Sequence, residues 1–430
     1  MNNKDNPREL AARAVCKIET EKAYSNLLVN NLLKDCKLSK EDKALATFII
    51  YGTLDRQVTI DYYIKKFIKT PIKKIKPYTL AVIRTAVFQI KFTDRIPNSA
   101  AVNEAVKLIK KSNEKFNSGF VNALLRSISN TEIELPSGND INSLSVRYSC
   151  PASLTAILIK DYGVNDAKAF LEDSLLAAPV FLRVNSRKIS AEELAKRLKN
   201  QGISAEPVFD KALRTEGLTD IEARQEFMEG LFHIEELACQ MAIEKLEIEK
   251  TDSVLDVCAA PGGKSFTAAQ EAYEGYVVSC DLYEQRTNLI QNGAARLGLD
   301  NVSVKTLDAT KSNFERNSFD KVICDVPCSG FGVIRRKPDI KYKPISCFDE
   351  LIKTQKAILN NSADYVRQSG KILYSTCTLH KAENEDVVND FLKNHTDFKV
   401  AYMHTFMPHK DGTDGFFAAV LEKCNSEVIY

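Results

Sequence analysis

Two cysteines stand where a thiol could do chemistry. Cys328 lies in Asp325-Val326-Pro327-Cys328-Ser329-Gly330, and Cys377 follows the apolar run Lys371 to Thr376 in Ser375-Thr376-Cys377-Thr378-Leu379. Each segment reads as a β-strand breaking into a turn. Both thiols therefore fall at the carboxyl edge of a sheet, where open α/β sheets bind ligands. A thiolate adds to an electrophilic carbon and splits one hard step into two. A neighbouring carboxyl such as Asp325 can hydrogen-bond a ring nitrogen and help spread the charge that develops. Cys258, Cys280 and Cys324 read instead as small packing residues.

A partner for such a thiol is suggested by Leu255-Asp256-Val257-Cys258-Ala259-Ala260-Pro261-Gly262-Gly263-Lys264-Ser265, which reads as strand, tight loop and helix N-terminus. Paired glycines admit a ligand close to the backbone, and the free N–H groups of a helix start attract polar or anionic groups. Three nucleotide-like guests compete. The dinucleotide fingerprint G-x-G-x-x-G is absent. A P-loop is disfavoured because its first glycine falls on Cys258, and because Pro261 removes an N–H from a loop whose task is to surround phosphate with donors. S-adenosylmethionine is the third. Asp281, at the end of the next strand, suits ribose hydroxyls, Asp308 would sit beside the adenine, and Asp325 near the methionine end.

A thiol beside an electrophilic methyl sulfonium suits carbon 5 of a pyrimidine. That carbon is a poor nucleophile until something adds at carbon 6, and a cysteine thiolate performs that addition. Asp325 would contact N3 of the base. Lys264, Arg335 or Arg336 could supply the positive charge that favours a thiolate.

The elements that position these groups form a doubly wound, Rossmann-like parallel sheet from residue 236 to 430. Its strands end at Cys258, Asp281, Leu307 or Asp308, Asp325 and Thr376, with helices between. Before it, residues 1–130 carry apolar residues at three- and four-residue spacing and predict an all-helical bundle, with helices over Arg8 to Ile18, Tyr24 to Leu33 and Lys43 to Ile50, and further starts at Pro77 and Pro97. Residues 131–143, rich in Glu, Pro, Ser, Gly and Asn, read as a linker. Residues 144–235 read as a small α+β, RRM-like module. In it a helix ends near Gly163, Val180 to Asn185 and Ile203 to Phe209 are strands, and Ser190 with Glu193 forms a capping box.

The whole chain narrows the class. Its 430 residues allow two or three domains, and 44% hydrophobic with 27% charged content is ordinary for a globular protein. No apolar run reaches membrane-spanning length and no secretory h-region follows Met1, so a cytoplasmic monomer without membrane contact is expected. Eleven cysteines without compact spacing read as reduced thiols. The five histidines (His233, His380, His395, His404 and His409) form no ligand pattern, so no metal is expected. Residues 1–135 hold 24 Lys and Arg against 14 Asp and Glu, whereas the full chain carries only +2. A basic N-terminal third points to a polyanionic partner such as nucleic acid.

Asp256 through Lys264, Asp325 through Gly330, Ser375-Thr376-Cys377 and Asp414-Gly415-Phe416-Phe417 resemble, in order, the motifs of the RNA cytosine-C5 methyltransferases. Ala101 to Leu108 and Gly119 to Arg126 resemble the RNA-binding NusB-like fold, with Asn103 and Asn122 expected to be structural. Together the layout is similar, over nearly the full length, to bacterial 16S rRNA methyltransferases of the RsmB (Sun/Fmu) type. That resemblance implies S-adenosylmethionine as cofactor, held by Cys258, Ala259, Ala260, Pro261, Gly262, Gly263 and Lys264 with Asp281, Asp308 and Asp325. It implies small-subunit rRNA as partner, Cys377 as nucleophile and Cys328 as the group assisting product release. The residues alone do not rank the two thiols. Val326, Thr378, Lys337 and Ser265 depart from the usual pattern without removing a reacting group. A non-catalytic RNA-binding assembly factor and a P-loop NTPase are the competing readings.

Overall fold

The computed structural model describes residues 6–21 and 25–424. The chain forms two compact units: residues up to Leu176 together with Ile334–Lys343, and Ala177–Val333 together with the chain from Pro344 onward.

The first unit is helical. Helices Pro7–Glu21, Lys40–Asp55, Gln57–Lys65, Asn98–Lys111 and Ser118–Asn130 surround Pro77–Phe92, in which every residue from Thr79 to Ile90 is buried. The expected starts at Pro77 and near Pro97 are seen, and Ser39 caps its helix by accepting from the Asp42 N–H. The expected helix from Tyr24 begins in the described residues at Ser25; Tyr24 itself lies outside them. Buried Arg84 is held by both carboxylate oxygens of Asp61, at 2.8 and 2.7 Å, and by Glu19, as a buried guanidinium requires. Gly52 faces the Phe88 ring so closely that any Cβ would collide with it. Asn122 accepts from Arg126, whereas Asn103 is exposed on the solvent face of its helix, not inside an apolar stripe.

Helices Ile141–Arg147 and Ala152–Asp173 also cluster with this unit. Gly163 is non-helical (φ 78°, ψ 169°), so the helix that starts at Ala152 ends there as expected and a second helix follows to Asp173. The segment Ile334–Lys343 packs here too. Lys341, its side chain fully buried, donates to the Asp55 carboxylate (2.6 Å) and to the Asp55 and Ser149 carbonyls, and the Tyr342 hydroxyl donates to the Leu54 carbonyl at 2.8 Å.

The second unit holds two sheets. Strands β1 (Val180–Val184), β2 (Ser204–Phe209), β3 (Ala212–Glu216) and β4 (Phe232–Ile234) form an antiparallel sheet in the order β2-β3-β1-β4. It is covered by helix Ala191–Lys199, capped at Ser190 as expected. Then follow β5 (Ser253–Asp256), β6 (Tyr276–Asp281), β7 (Val302–Thr306), β8 (Phe319–Asp325), β9 (Val366–Thr376), β10 (Phe398–Phe406) and β11 (Phe416–Lys423). Their order is β10-β11-β9-β8-β5-β6-β7. From β7 to β9 the sheet is parallel, but β11 pairs antiparallel with both β9 and β10. The five strands expected from the sequence are thus parallel, and the unexpected pair β10 and β11 makes the whole sheet mixed. The chain runs outward from β5 through β6 to β7, then returns to the other side of β5 as β8. Strand order therefore reverses between β5 and β8, where a crevice opens at the carboxyl ends.

Candidate functional site

The crevice at β5 and β8 is a cavity of about 160 Å³ lined by Cys258, Ala259, Ala260, Pro261, Gly263, Lys264 and Asp325, with Ile234, Glu235, Cys239 and Asp256. The first seven were named from the sequence. Gly262 shapes the turn and is not itself among the lining residues. Its φ of 119° and the Phe266 ring, 2.3 Å from where a Cβ would sit, leave room only for glycine. The Ala260–Pro261 peptide is cis. Helix Gly263–Glu271 then starts with its N-terminus at the cavity.

Charge in this crevice is tightly partnered. Lys264 Nζ donates to Asp325 Oδ2 at 2.8 Å, lies 3.4 Å from Cys239 Sγ and sits 5.3 Å from the centre of the Phe416 ring. Burial alone would strip the lysine of its charge, but the Asp325 carboxylate holds its pKa well above the ordinary value. The other Asp325 oxygen accepts from Ser375 Oγ at 2.8 Å. Burial pushes the Asp256 carboxyl up to about 7, despite a 2.7 Å hydrogen bond from Ser265 Oγ. Burial would likewise raise Glu235, but donors from His233 and Thr267, with the Lys264 charge, hold it below the usual carboxylate range. Its second oxygen, Oε1, is buried without a hydrogen-bond partner, about 3.2 Å from a Cβ position on Gly263.

The two thiols meet beyond β8 and β9. Cys328 Sγ and Cys377 Sγ are 3.4 Å apart. The hydrogen bond to Cys377, together with burial, pushes the Cys328 thiol well up, and either sulfur can be the donor between them. Burial also raises Cys258, Cys280 and Cys324, as packing thiols require, although Cys258 additionally lines the cavity. Gly332 N–H donates to the Cys377 carbonyl (2.9 Å), and Gly415 N–H donates to the Gly332 carbonyl (3.0 Å), so the Asp414-Gly415-Phe416-Phe417 segment joins the same cluster.

Other expected residues stand apart from the lining. Asp281 is buried, takes the Tyr283 N–H and pairs with Arg286 at 3.1 Å; Arg286 also donates to the Ala260 carbonyl. Asp308 is tied to Thr310 and Lys311, and its bonds to Thr310 hold it below the usual range. Arg335 and Arg336 belong to the segment that packs in the helical unit. Glu235, Cys239 and Asp256 were missed as lining residues. Asp256 was findable as the acid at a strand end, whereas Glu235 and Cys239 come from a segment whose approach to β5 depends on the fold.

Comparison with known proteins agrees with this architecture. Residues 243–422 match the family described as 16S rRNA methyltransferase RsmB/F, residues 5–130 the NusB family, and residues 150–222 the ferredoxin-like domain of RsmF/B-like methyltransferases. A Bacillus subtilis protein named probable ribosomal RNA small subunit methyltransferase B is 34% identical, covering 98% of this chain and 99% of its own. The Escherichia coli O127:H6 ribosomal RNA small subunit methyltransferase B is 30% identical over 98% of this chain and 100% of its own. In fold, the crystal structure of PH0851 superposes with a TM-score of 0.81 at 24% identity over 98% of this chain and 99% of that one. NSun6 from Pyrococcus horikoshii, solved with SFG, gives 0.59 at 20% identity over 64% and 99%.

A NusB-like bundle, a ferredoxin-like module and a Rossmann-like sheet with a glycine-bounded cradle define an RNA-modifying methyltransferase. The chain belongs to the RsmB/F family of 16S rRNA methyltransferases and is of the RsmB type. Its cofactor is S-adenosylmethionine, and the cavity fits it: the Glu235 and Asp325 carboxylates, with the Asp256 carboxyl beside them, face one lysine, which suits a cationic guest and opposes a triphosphate. Among the described residues no group of acids, histidines and cysteines is arranged to hold a metal ion, and no helix is long and apolar enough to cross a membrane.

Proposed function

We propose that this protein methylates carbon 5 of a cytosine in small-subunit rRNA, through a covalent adduct of Cys377 at carbon 6. The observation that carries the reading is the pair of thiols 3.4 Å apart, each leaving a strand whose neighbour at the cavity is Asp325. S-adenosylmethionine, when bound, supplies an electrophilic methyl group. Cys258 through Lys264 would hold it, with Asp325 near its methionine end and Asp281 and Asp308 toward ribose and adenine.

The chain's own residues do the rest. Cys377 adds as thiolate to carbon 6, and the displaced ring electrons move toward N3, where the Asp325 carboxyl hydrogen-bonds the ring. Carbon 5 is thereby made nucleophilic. After methylation a solvent base takes the carbon 5 proton, its electron pair re-forms the C5–C6 double bond, and the carbon–sulfur bond breaks with Cys377 leaving as thiolate. Cys328, protonated and beside that sulfur, assists this release. The target base must leave any stack to reach Cys377, and the basic helical domain and ferredoxin-like module hold surrounding RNA through phosphate contacts and shape. The work belongs in the cytoplasm, where rRNA is assembled.

The test incubates wild type, Cys328→Ala and Cys377→Ala with S-adenosylmethionine and undermodified rRNA, then resolves them on a denaturing gel. A persistent protein–RNA adduct is expected for Cys328→Ala only. An adduct with Cys377→Ala would reverse the two roles, and methylation surviving loss of both thiols would remove the covalent mechanism.

A further inference from the structure

Glu383 is fully buried and touches neither the cavity nor solvent, yet it gathers both thiol-bearing loops. On the Cys328 side, the Ser329 N–H donates to Oε2 at 2.8 Å and Ser329 Oγ donates to Oε1 at 2.5 Å. Gln355 Nε2 bridges Oε2 and the Pro327 carbonyl, each at 2.9 Å, so the residues on either side of Cys328 are both fixed. On the Cys377 side, Thr378 Oγ1 lies 2.7 Å from Ser329 Oγ, and His380 Nδ1 lies 3.3 Å from Oε1. The next residue, Asn384, accepts from Thr376 Oγ1 at 2.6 Å and donates to the Thr378 carbonyl at 3.0 Å, bracketing Cys377. Tyr374 of β9 donates to the Glu383 carbonyl at 2.6 Å, anchoring the pair to the sheet.

A buried carboxylate costs several kcal/mol unless its oxygens are filled by donors. Here Ser329, Gln355 and His380 fill them and hold Glu383 below the usual carboxylate range against the upward push of burial. Ser329 N–H and Gln355 Nε2 both donate to Oε2 while Ser329 Oγ donates to Oε1, so both carboxylate oxygens are used as acceptors. Glutamine, of the same shape, keeps the oxygen that Ser329 N–H and Gln355 share and places its NH₂ at the Ser329 hydroxyl and His380, whereas alanine removes both acceptors.

We propose that Glu383 is the positioning residue that sets the spacing of the two thiols: one carboxylate ties the Pro-Cys loop to the Thr-Cys loop and holds Cys328 within reach of Cys377. The inference rests on the reading of those cysteines as release group and nucleophile, but its geometry is measurable without any methyl transfer. Phenylarsine oxide condenses with two thiols a few ångström apart, giving a cyclic dithioarsenite and one water, and so reports their spacing.

The experiment compares full-length wild type, Glu383→Gln and Glu383→Ala, with Cys377→Ala as the control that cannot be bridged. Each protein is treated with phenylarsine oxide at a temperature well below its melting point, and the Cys328–Cys377 bridge is located by mass spectrometry. The same proteins are assayed for S-adenosylmethionine binding and for single-turnover methylation of rRNA. Wild type is expected to bridge. Glu383→Gln, which keeps the Oε2 acceptor, is expected to bridge near the wild-type rate, whereas Glu383→Ala is expected to bridge and to methylate about tenfold more slowly or worse, the cost of losing buried hydrogen bonds. Its cofactor affinity stays within about twofold of wild type. Bridging at the wild-type rate in both variants overturns the proposal, as does loss of cofactor binding in step with bridging, which would mark a general packing role. Slowed bridging with normal methylation would leave the clamp standing and count against the two-cysteine mechanism, so the two failures are distinguishable.

Discussion

Burial without a full ion pair leaves Asp256 with a pKa of about 7, against about 3.9 for an exposed aspartate. The folded state therefore binds the proton more tightly than the unfolded chain. The stability Asp256 contributes is complete below pH 4 and is lost as pH rises through 7, a window of up to about 4 kcal/mol. Asp256→Asn keeps the acceptor for Ser265 and removes the titration. The melting temperature of the variant relative to wild type is expected to climb steadily from pH 4.5 to pH 7.5 in a thermal-shift series; a constant difference would mean that Asp256 does not titrate there. This residue lines the cavity, so the same substitution reports whether a neutral side chain suffices beside the cofactor. The two neighbouring thiols themselves were legible, because cysteines after Pro327 and Thr376 sit at strand ends that any reading of apolar runs locates. Glu383, Gln355 and Glu235 were not. A buried acid shows its value only through donors brought from other segments, and no local pattern encodes that meeting.

At the scale of elements, the strand–loop–helix from Ser253 to Glu271 was readable from its glycine pair and apolar run, and β6, β8 and β9 end where the sequence places them. The closing hairpin was less visible. Strand β11 is buried at nearly every position, as a central strand must be, and such a run carries no sign of its direction. Its antiparallel course brings Gly415 against Gly332, whose imagined Cβ would lie 1.8 Å from the Gly415 carbonyl oxygen. Both are backbone, so neither can yield cheaply. Gly332→Ala is expected to displace the loop that carries Cys328 and to lower methyl transfer about a hundredfold or more while S-adenosylmethionine binding persists. Wild-type turnover in that variant would show the approach to be slack.

For the whole molecule, composition and motif order were enough to expect three modules, and the charge asymmetry correctly marked the helical one as basic. The course of residues 334–343 was hidden, because a short mixed segment fits several neighbours and only tertiary packing decides among them. A separated helical fragment, residues 1–176, lacks the Lys341 ammonium that answers Asp55 and the Tyr342 hydroxyl that answers the Leu54 carbonyl. Adding a synthetic peptide of residues 334–343 is expected to raise its melting temperature, whereas a Lys341→Met peptide should not; an equal response to both would make the ion pair incidental.

That ten-residue excursion also has a bearing on descent. A gene splice after Leu176 delivers a helical module missing a piece that is written 158 codons downstream, within the catalytic reading frame. An exchanged front half would have to suit an inherited Lys341, and an exchanged back half an inherited Asp55. A change at Asp55 or Lys341 alone leaves the buried ammonium or its carboxylate unanswered, so exchanging either part by itself carries a cost that paired substitution at the two positions avoids.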